Sequence, residues 1–67
     1  MDNMTVFDLI SVVRDTKPAF IVNFGGVFHG FYTLEELATN HEIIKREVWH
    51  VQTRGFNDGI IYILDVF

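Results

Sequence analysis

Apolar residues near the start of the chain recur at the spacing of a helix. Those that would share one helix face are Val6, Leu9, Ile10 and Val13, with Phe7 widening that face. Thr5 is a favourable N-cap residue, and Asp8 stands three positions later, where the acid of a capping box is found. Pro18 disfavours helical backbone in the residue before it. The pattern therefore predicts a helix over residues 5–15.

A glycine pair separates the two short apolar runs that follow. Residues 19–24 and 27–32 flank Gly25 and Gly26. Such a pair supplies the positive φ angles that a two-residue hairpin turn requires. The pattern predicts a β-hairpin.

Both faces of this hairpin are apolar. A regular pairing places Phe20 opposite Phe31 on one face. It places Asn23 opposite Phe28 on the other, so the sequence does not determine which face turns inward. Gly30, inside the second strand, indicates either a bulge or a close approach of another backbone.

A second capping pattern follows the hairpin. Thr33 and Glu36 have the spacing of a capping box, which predicts a short helix that ends near Asn40. Residues 41–45 fit a continued helix and a loop equally well, and both interpretations stay open at this point.

The last third of the chain predicts a second hairpin. Residues 46–53 and 60–67 would form its strands, and the Asn-Asp-Gly sequence at 57–59 is a strong turn signal. Residues 60–64 are almost continuously apolar, which is typical of a strand covered on both faces. We therefore expect this strand at the centre of the sheet.

The elements follow one another in the order α-β-β-α-β-β. This order predicts an α+β fold with one mainly antiparallel four-stranded sheet and the first helix packed on one of its faces. In a regular second hairpin His50 shares a face with Leu64, whereas Trp49 shares the other face with Ile63. The length of 67 residues allows one domain, 1–67.

The amount of apolar material exceeds what so short a chain buries easily. Hydrophobic residues make up 49% and aromatic residues 15% of the sequence, whereas a domain of this size buries only about 60% of the surface of its unfolded chain. Some aromatic side chains should therefore stay accessible and meet another molecule. We expect Phe20, Trp49 and Ile63 in the core, and the predicted contact residues are Phe28, Phe31, Tyr32, Phe56 and Tyr62.

The charge balance restricts the class of partner. Nine acidic residues against five basic ones give a formal net charge of −4, which disfavours direct binding to nucleic acid. No apolar run approaches the roughly 20 residues of a membrane helix, and the acidic start of the chain is unlike a secretory signal. We expect a cytoplasmic protein without membrane contact.

The absence of cysteine also bears on how so small a domain is stabilised. With no cysteine in the chain there is no disulfide. Small domains then rely on a metal or a partner chain. The histidines at 29, 41 and 50 lack metal-site spacing, so a homodimer is the remaining prediction.

No catalytic motif is recognisable, and we predict neither enzyme activity nor a cofactor. Ser11 is the only serine and lies within the predicted first helix. One alternative is a small metal- or ligand-binding domain that uses His29 and His50 with a carboxylate.

Asp65 interrupts an apolar strand and could pair with Arg54 or Lys17. The preferred interpretation of Asp65 is an acid near the end of the chain that reaches solvent.

Four segments carry a pattern-level resemblance to known proteins. Residues 4–10, with the strand 20–22 after a proline-containing break, and the later segments 48–51 and 59–63 resemble small accessory proteins of Gram-positive phages and mobile elements. That set is largely uncharacterised, so the resemblance implies an origin rather than an activity. It carries over no functional residues.

Together these observations predict a non-enzymatic accessory protein that binds and modulates another protein. A phage-like origin would make a host or defence protein the target. One alternative is an acidic inhibitor that mimics DNA and occupies a DNA-binding enzyme. The acids that could form such a surface are Asp2, Asp8, Asp15, Glu35, Glu36, Glu42 and Glu47.

Overall fold

Within the described part of the chain, five strands form a single mixed sheet with two α-helices on one of its faces. The structure is a computed structural model that describes residues 4–56 and 59–67. The elements in chain order are β1 (Met4–Thr5), α1 (Val6–Val13), a 3₁₀ turn (Arg14–Thr16), β2 (Ala19–Phe24), β3 (Val27–Thr33), α2 (Leu34–Ala38), β4 (Glu47–Phe56) and β5 (Gly59–Val66).

The strand order is β1-β4-β5-β2-β3. The predicted α+β class is confirmed, and β5 lies at the centre, as its continuous apolar sequence indicates. The four-stranded prediction missed β1, a two-residue strand in which Met4 pairs with Val48 and Thr5 with Glu47. Three of the four strand pairings are antiparallel, but β5 pairs with β2 in parallel, which makes the sheet mixed.

Helix α1 begins at a complete capping box. The amide of Asp8 donates to the hydroxyl oxygen of Thr5 at 3.2 Å, and the amide of Thr5 donates to the Asp8 carboxylate at 3.1 Å. The α-helix ends at Val13, two residues before the predicted end, and continues as the 3₁₀ turn. Lys17 then takes a left-handed conformation with a φ of 51°, which turns the chain into β2.

Helix α2 repeats this arrangement. Glu36 donates its amide to the hydroxyl oxygen of Thr33 at 3.2 Å, and the Thr33 amide donates to the Glu36 carboxylate at 2.8 Å. The helix ends at Ala38, and residues 41–45 form turns rather than a continued helix. Asn40 stabilises these turns because its side-chain oxygen accepts a hydrogen bond from the amide of Ile43 at 3.1 Å.

The core lies between the helices and the inner face of the sheet. Alternate residues of the paired central strands point into it, with Phe20 opposite Tyr62 and Val22 opposite Leu64. The residues of this hydrophobic core are Val6, Leu9, Ile10, Val13, Phe20, Val22, Leu37, Ile43, Tyr62, Leu64 and Val66. The predicted burial of Phe20 is confirmed, and its ring stacks on that of Tyr62 at a centroid distance of 5.8 Å.

Two register shifts correct the regular hairpins that the sequence predicts. In the first hairpin Asn23 lies opposite Phe28, but Val22 lies opposite Gly30, which leaves His29 as the extra residue of a bulge. Phe20 consequently lies opposite Tyr32 rather than Phe31. The indication of a bulge at Gly30 is therefore confirmed, and the pairing predicted beyond it was wrong by one residue.

The second bulge lies in β4. Val48 is opposite Val66 and His50 is opposite Asp65, so Trp49 is the extra residue. Because residues that lie opposite each other share a face of the sheet, His50 shares the face of Asp65 and not that of Leu64. The predicted facing of His50 was therefore wrong.

Candidate functional site

The outer face of the sheet is the most distinctive surface of the molecule. Ile21 lies opposite Ile63 of β5 on one side and Phe31 of β3 on the other. Ile21 and Ile63 point away from the buried residues of their strands, because side chains alternate along a strand, and Phe31 shares their face because it lies opposite Ile21. We call this surface the open face, and its apolar residues are Ile21, Phe28, Phe31, Ile61 and Ile63.

The open face lacks a covering layer within residues 4–56 and 59–67. The residues that α1 and α2 bury are in the same core as the inner residues of β2 and β5, so both helices lie on the inner side. On the outer side Phe28 is 64% exposed and Phe31 is 55% exposed. Ile21 and Ile63 stay half-buried because neighbouring strands shield them laterally.

The bulge at His29 brings the two exposed phenylalanines onto one face. Residues 28 and 31 are an odd number of positions apart, so a regular strand would place them on opposite faces. With His29 as the extra residue, Phe28 lies opposite Asn23 and Phe31 opposite Ile21, which share the open face. The His29 ring lies 4.3 Å from that of Phe24, on the side of the core.

A polar group lies beside the apolar part of the open face. Nδ1 of His50 is 3.4 Å from the nearer carboxylate oxygen of Asp65, whose side chain is 13% exposed. Asp65 therefore keeps limited contact with solvent, and its ion-pair partner is His50 rather than the suggested Arg54 or Lys17, because the β4 bulge brings His50 opposite it. Asp65 is two residues from Ile63 on the same face of β5, so the pair borders the isoleucines of the open face.

The predicted contact residues divide between the two faces. Phe28 and Phe31 lie on the open face. Tyr62 is buried against Phe20, and Tyr32 is half-buried on the inner side, so neither belongs to the exposed set. The side chain of Phe56 lies outside the described residues.

Two residues expected in the core belong to the exposed side. Trp49 is exposed, with its ring 6.5 Å from that of Phe67, and Ile63 lies on the open face. One sequence signal pointed to this arrangement. The central strand β5 is apolar on both faces, although the helices cover only one.

The structure separates the two histidines of the alternative metal site. His29 lies on β3 and His50 on β4, and β5 and β2 stand between these strands, a separation of about 14 Å at the usual strand spacing. Their side chains also point to opposite faces. In the part of the chain that the structure describes, no three His, Cys, Asp or Glu side chains are grouped so that they could hold a metal ion.

The helical side of the molecule carries a groove. This groove of about 260 Å³ lies between α1 and α2, with Ile10, Leu34 and Ile44 in its lining and Arg14 and Glu35 among its polar residues. Small-molecule sites occupy about 300–1,000 Å³, so the groove is slightly smaller than that range. Because its lining contains both a basic and an acidic side chain, the groove has no single charge that a charged ligand could complement.

The acidic residues of the described helices lie away from the open face. Asp8 and Glu36 accept hydrogen bonds in the two capping boxes. Asp15 follows α1, and Glu35 lies in the first turn of α2. The acids of α1 and α2 therefore lie on the helical side, whereas Asp65 lies on the open face.

No protein-family model matches the chain, and neither a curated protein nor a solved structure is significantly similar to it. The resemblance to small phage proteins thus stays a prediction. None of the helices in the described ranges is both long and apolar enough to cross a membrane.

Proposed function

We propose that this chain is a non-enzymatic accessory protein that binds and modulates another protein, and that the open face is its docking surface. The observation that carries the proposal is an apolar sheet face with exposed Phe28 and Phe31 and no covering layer among the described residues. Exposed apolar patches of this kind mark interaction sites. The cytoplasm is the proposed location, and a host or defence protein is the proposed target.

The composition of the open face supports a protein partner. Aromatic side chains are enriched at interface centres, where charged residues are depleted. Phe28 and Phe31 supply two such rings. Ile21 and Ile63 form a flat apolar surface between these rings and strand β4. A nucleic acid would require a positive groove beside the rings. The open face instead carries the negatively charged carboxylate of Asp65 on β5.

Mimicry of DNA by the acidic residues has less support. That function requires carboxylates spaced along one surface, as phosphates are. The carboxylates of Asp8 and Glu36 instead accept hydrogen bonds from the backbone at helix starts. Their placement is explained by helix capping alone.

Affinity capture with matched surface variants tests the proposed function. The wild-type chain, a Phe28→Ser/Phe31→Ser variant and a Val12→Ser control would each be used on a lysate of the natural source. Val12 is 72% exposed on α1, so its replacement removes a similar exposed apolar group from the helical side. A captured protein would then be purified and its dissociation constant measured with all three chains.

We expect the double variant to weaken this complex at least about tenfold, because exposed aromatic residues at interface centres carry much of the binding energy. The Val12→Ser control should bind like the wild type. Equal binding by all three chains would refute the open face as the docking surface.

A further inference from the structure

We propose that a second copy of this chain occupies the open face when no target is bound, and that the two copies pack face to face as a symmetric dimer. The inference rests on the proposed function because both partners use the same docking surface. A target must then displace the second copy before it can bind.

The layer structure of the fold is the first reason. Strand β5 carries apolar residues on both faces, with Leu64 in the core and Ile63 on the open face. Strands of that kind normally lie between two covering layers. A second open face at the usual sheet spacing of about 10 Å supplies the missing layer and gives a helix-sheet-sheet-helix arrangement.

The distribution of charge is the second reason. Two copies of a protein with a net charge of −4 repel one another unless the contact avoids their acidic sides. The Asp65 carboxylate on the open face is next to His50, and Arg54 is opposite Ile61 on the same face. The acids of α1 and α2 lie on the helical side. Face-to-face packing therefore keeps these acids on the outside of the dimer.

The size of the open face is the third reason. Four strands at about 4.8 Å spacing and six residues at about 3.3 Å rise cover a flat projection of about 400 Å². A stable interface buries about 800 Å² on each partner, which is about one sixth of the 4682 Å² surface of the chain. The flat projection is about half of that area, so the dimer belongs at the small end of interface sizes, where association is weak and depends on concentration.

Two-fold symmetry then determines which residues meet. In a symmetric dimer the same patch of both copies is in contact. β5 is the middle strand of the five, so Ile63 and its neighbour Ile21 lie nearest the centre of the contact. Phe31, opposite Ile21 on β3, lies towards one side and packs against the other copy.

The test combines a measurement of molecular mass in solution with nuclear magnetic resonance of mixed chains. Analytical ultracentrifugation of the full chain over a wide concentration range would give the dissociation constant of the dimer. A mixture of isotope-labelled and unlabelled chains would then show which isoleucine methyl groups contact the other copy. Ile21, Ile61 and Ile63 report on the open face, and the buried Ile10 and Ile43 are internal controls.

We expect a concentration-dependent dimer with intermolecular contacts from Ile21 and Ile63 and none from Ile10 and Ile43. Phe31→Ser and, separately, Phe28→Ser should each raise the dissociation constant about tenfold or more, whereas Val12→Ser should leave it unchanged. Both phenylalanines are more than half exposed, so these variants keep the core, and their amide spectra would verify folding.

A monomer at every concentration overturns the inference. A dimer whose contacts lie on the helices or on the edge strand β3 alone also overturns it. If the chain is monomeric but still loses its target when Phe28 and Phe31 are replaced, the proposed function stands without the dimer. If the dimer forms through Ile63 but the replacement of Phe28 and Phe31 does not change target binding, the proposed docking surface is wrong and the dimer stands.

Discussion

His50 and Asp65 lie opposite each other on β4 and β5, with 3.4 Å between Nδ1 of the imidazole and the nearer carboxylate oxygen. The pair exists because Trp49 is an extra residue in β4. In a regular pairing His50 would share the face of Leu64, and Asp65 would stand beside the isoleucines of the open face without a histidine. One bulge therefore determines the polar content of the candidate site.

We expect the coupling between these two side chains to contribute little to stability. The His50 side chain is 46% exposed, so solvent screens the interaction, and such pairs contribute about 0–1 kcal/mol. A double-mutant cycle with His50→Ala and Asp65→Asn, followed by urea denaturation, measures this term. A coupling energy of several kcal/mol would show that the pair is a main determinant of the fold.

The bulges also explain how far the sequence could predict the candidate site. Exposed aromatic residues were predicted from length and composition, and of the predicted contact residues Phe28 and Phe31 are exposed, whereas Tyr32 and Tyr62 are not. Their common face was not, because the bulge at His29 changes the register of every residue after it. Gly30 indicated a bulge without showing which residue would be the extra one.

Local signals predicted the elements better than their arrangement. Thr5 and Thr33 determine the helix starts through contacts within four residues, so the sequence alone was sufficient. The parallel pairing of β2 with β5 joins residues about forty positions apart, such as Phe20 and Tyr62. Its energy depends on how both hairpins pack on one core, which no local pattern reports.

The capping box of α2 provides a test of such a local signal. Thr33→Ala removes the hydroxyl that accepts a hydrogen bond from the Glu36 amide, and we expect the free energy of unfolding to fall by about 1 kcal/mol. Thr33→Ser keeps that acceptor, so its free energy of unfolding should fall by less. Chemical denaturation of the three chains measures the difference, and equal losses in both variants would show that the hydroxyl is unimportant.

Leu37 is the side chain through which α2 enters the core. It is fully buried, so Leu37→Ala should cost about 2–5 kcal/mol. The total stability of a small domain is of similar size, and we expect largely unfolded protein by circular dichroism. Val12→Ala, on the exposed side of α1, should change stability by less than about 0.5 kcal/mol. A folded Leu37→Ala variant with native stability would contradict the described core.

The turn of the first hairpin depends on backbone freedom rather than on packing. Gly25 and Gly26 have φ angles of +58° and +84°, and nothing lies within 4 Å of a Cβ atom added at either position. Gly26→Val should therefore destabilise the protein through backbone strain alone, by about 1 kcal/mol or more. Gly25→Asn should be milder, because asparagine tolerates the left-handed region. Thermal denaturation would rank the two variants, and the reverse order would contradict the described turn.

Arg46 connects the loop before β4 to Phe67 in a way that charge alone does not explain. Its guanidinium carbon lies 4.7 Å from the centroid of the Phe24 ring, and one of its nitrogens donates a hydrogen bond to the main-chain oxygen of Phe67. The main-chain amide of Phe67 in turn donates to the carbonyl oxygen of Glu47 at 3.1 Å. Arg46 therefore helps to hold the end of the chain beside the first residue of β4.

We expect Arg46→Ala to lower the free energy of unfolding by about 1 kcal/mol, since an exposed cation over an aromatic ring contributes about 0.5–1 kcal/mol and the hydrogen bond adds to it. Arg46→Lys keeps the charge but loses the planar group that stacks on Phe24, so it should recover only part of the loss. Urea denaturation at low and high salt separates the two contributions. If Arg46→Lys has the full wild-type stability at low salt and loses it at high salt, the positive charge at this position matters and the stacking on Phe24 does not.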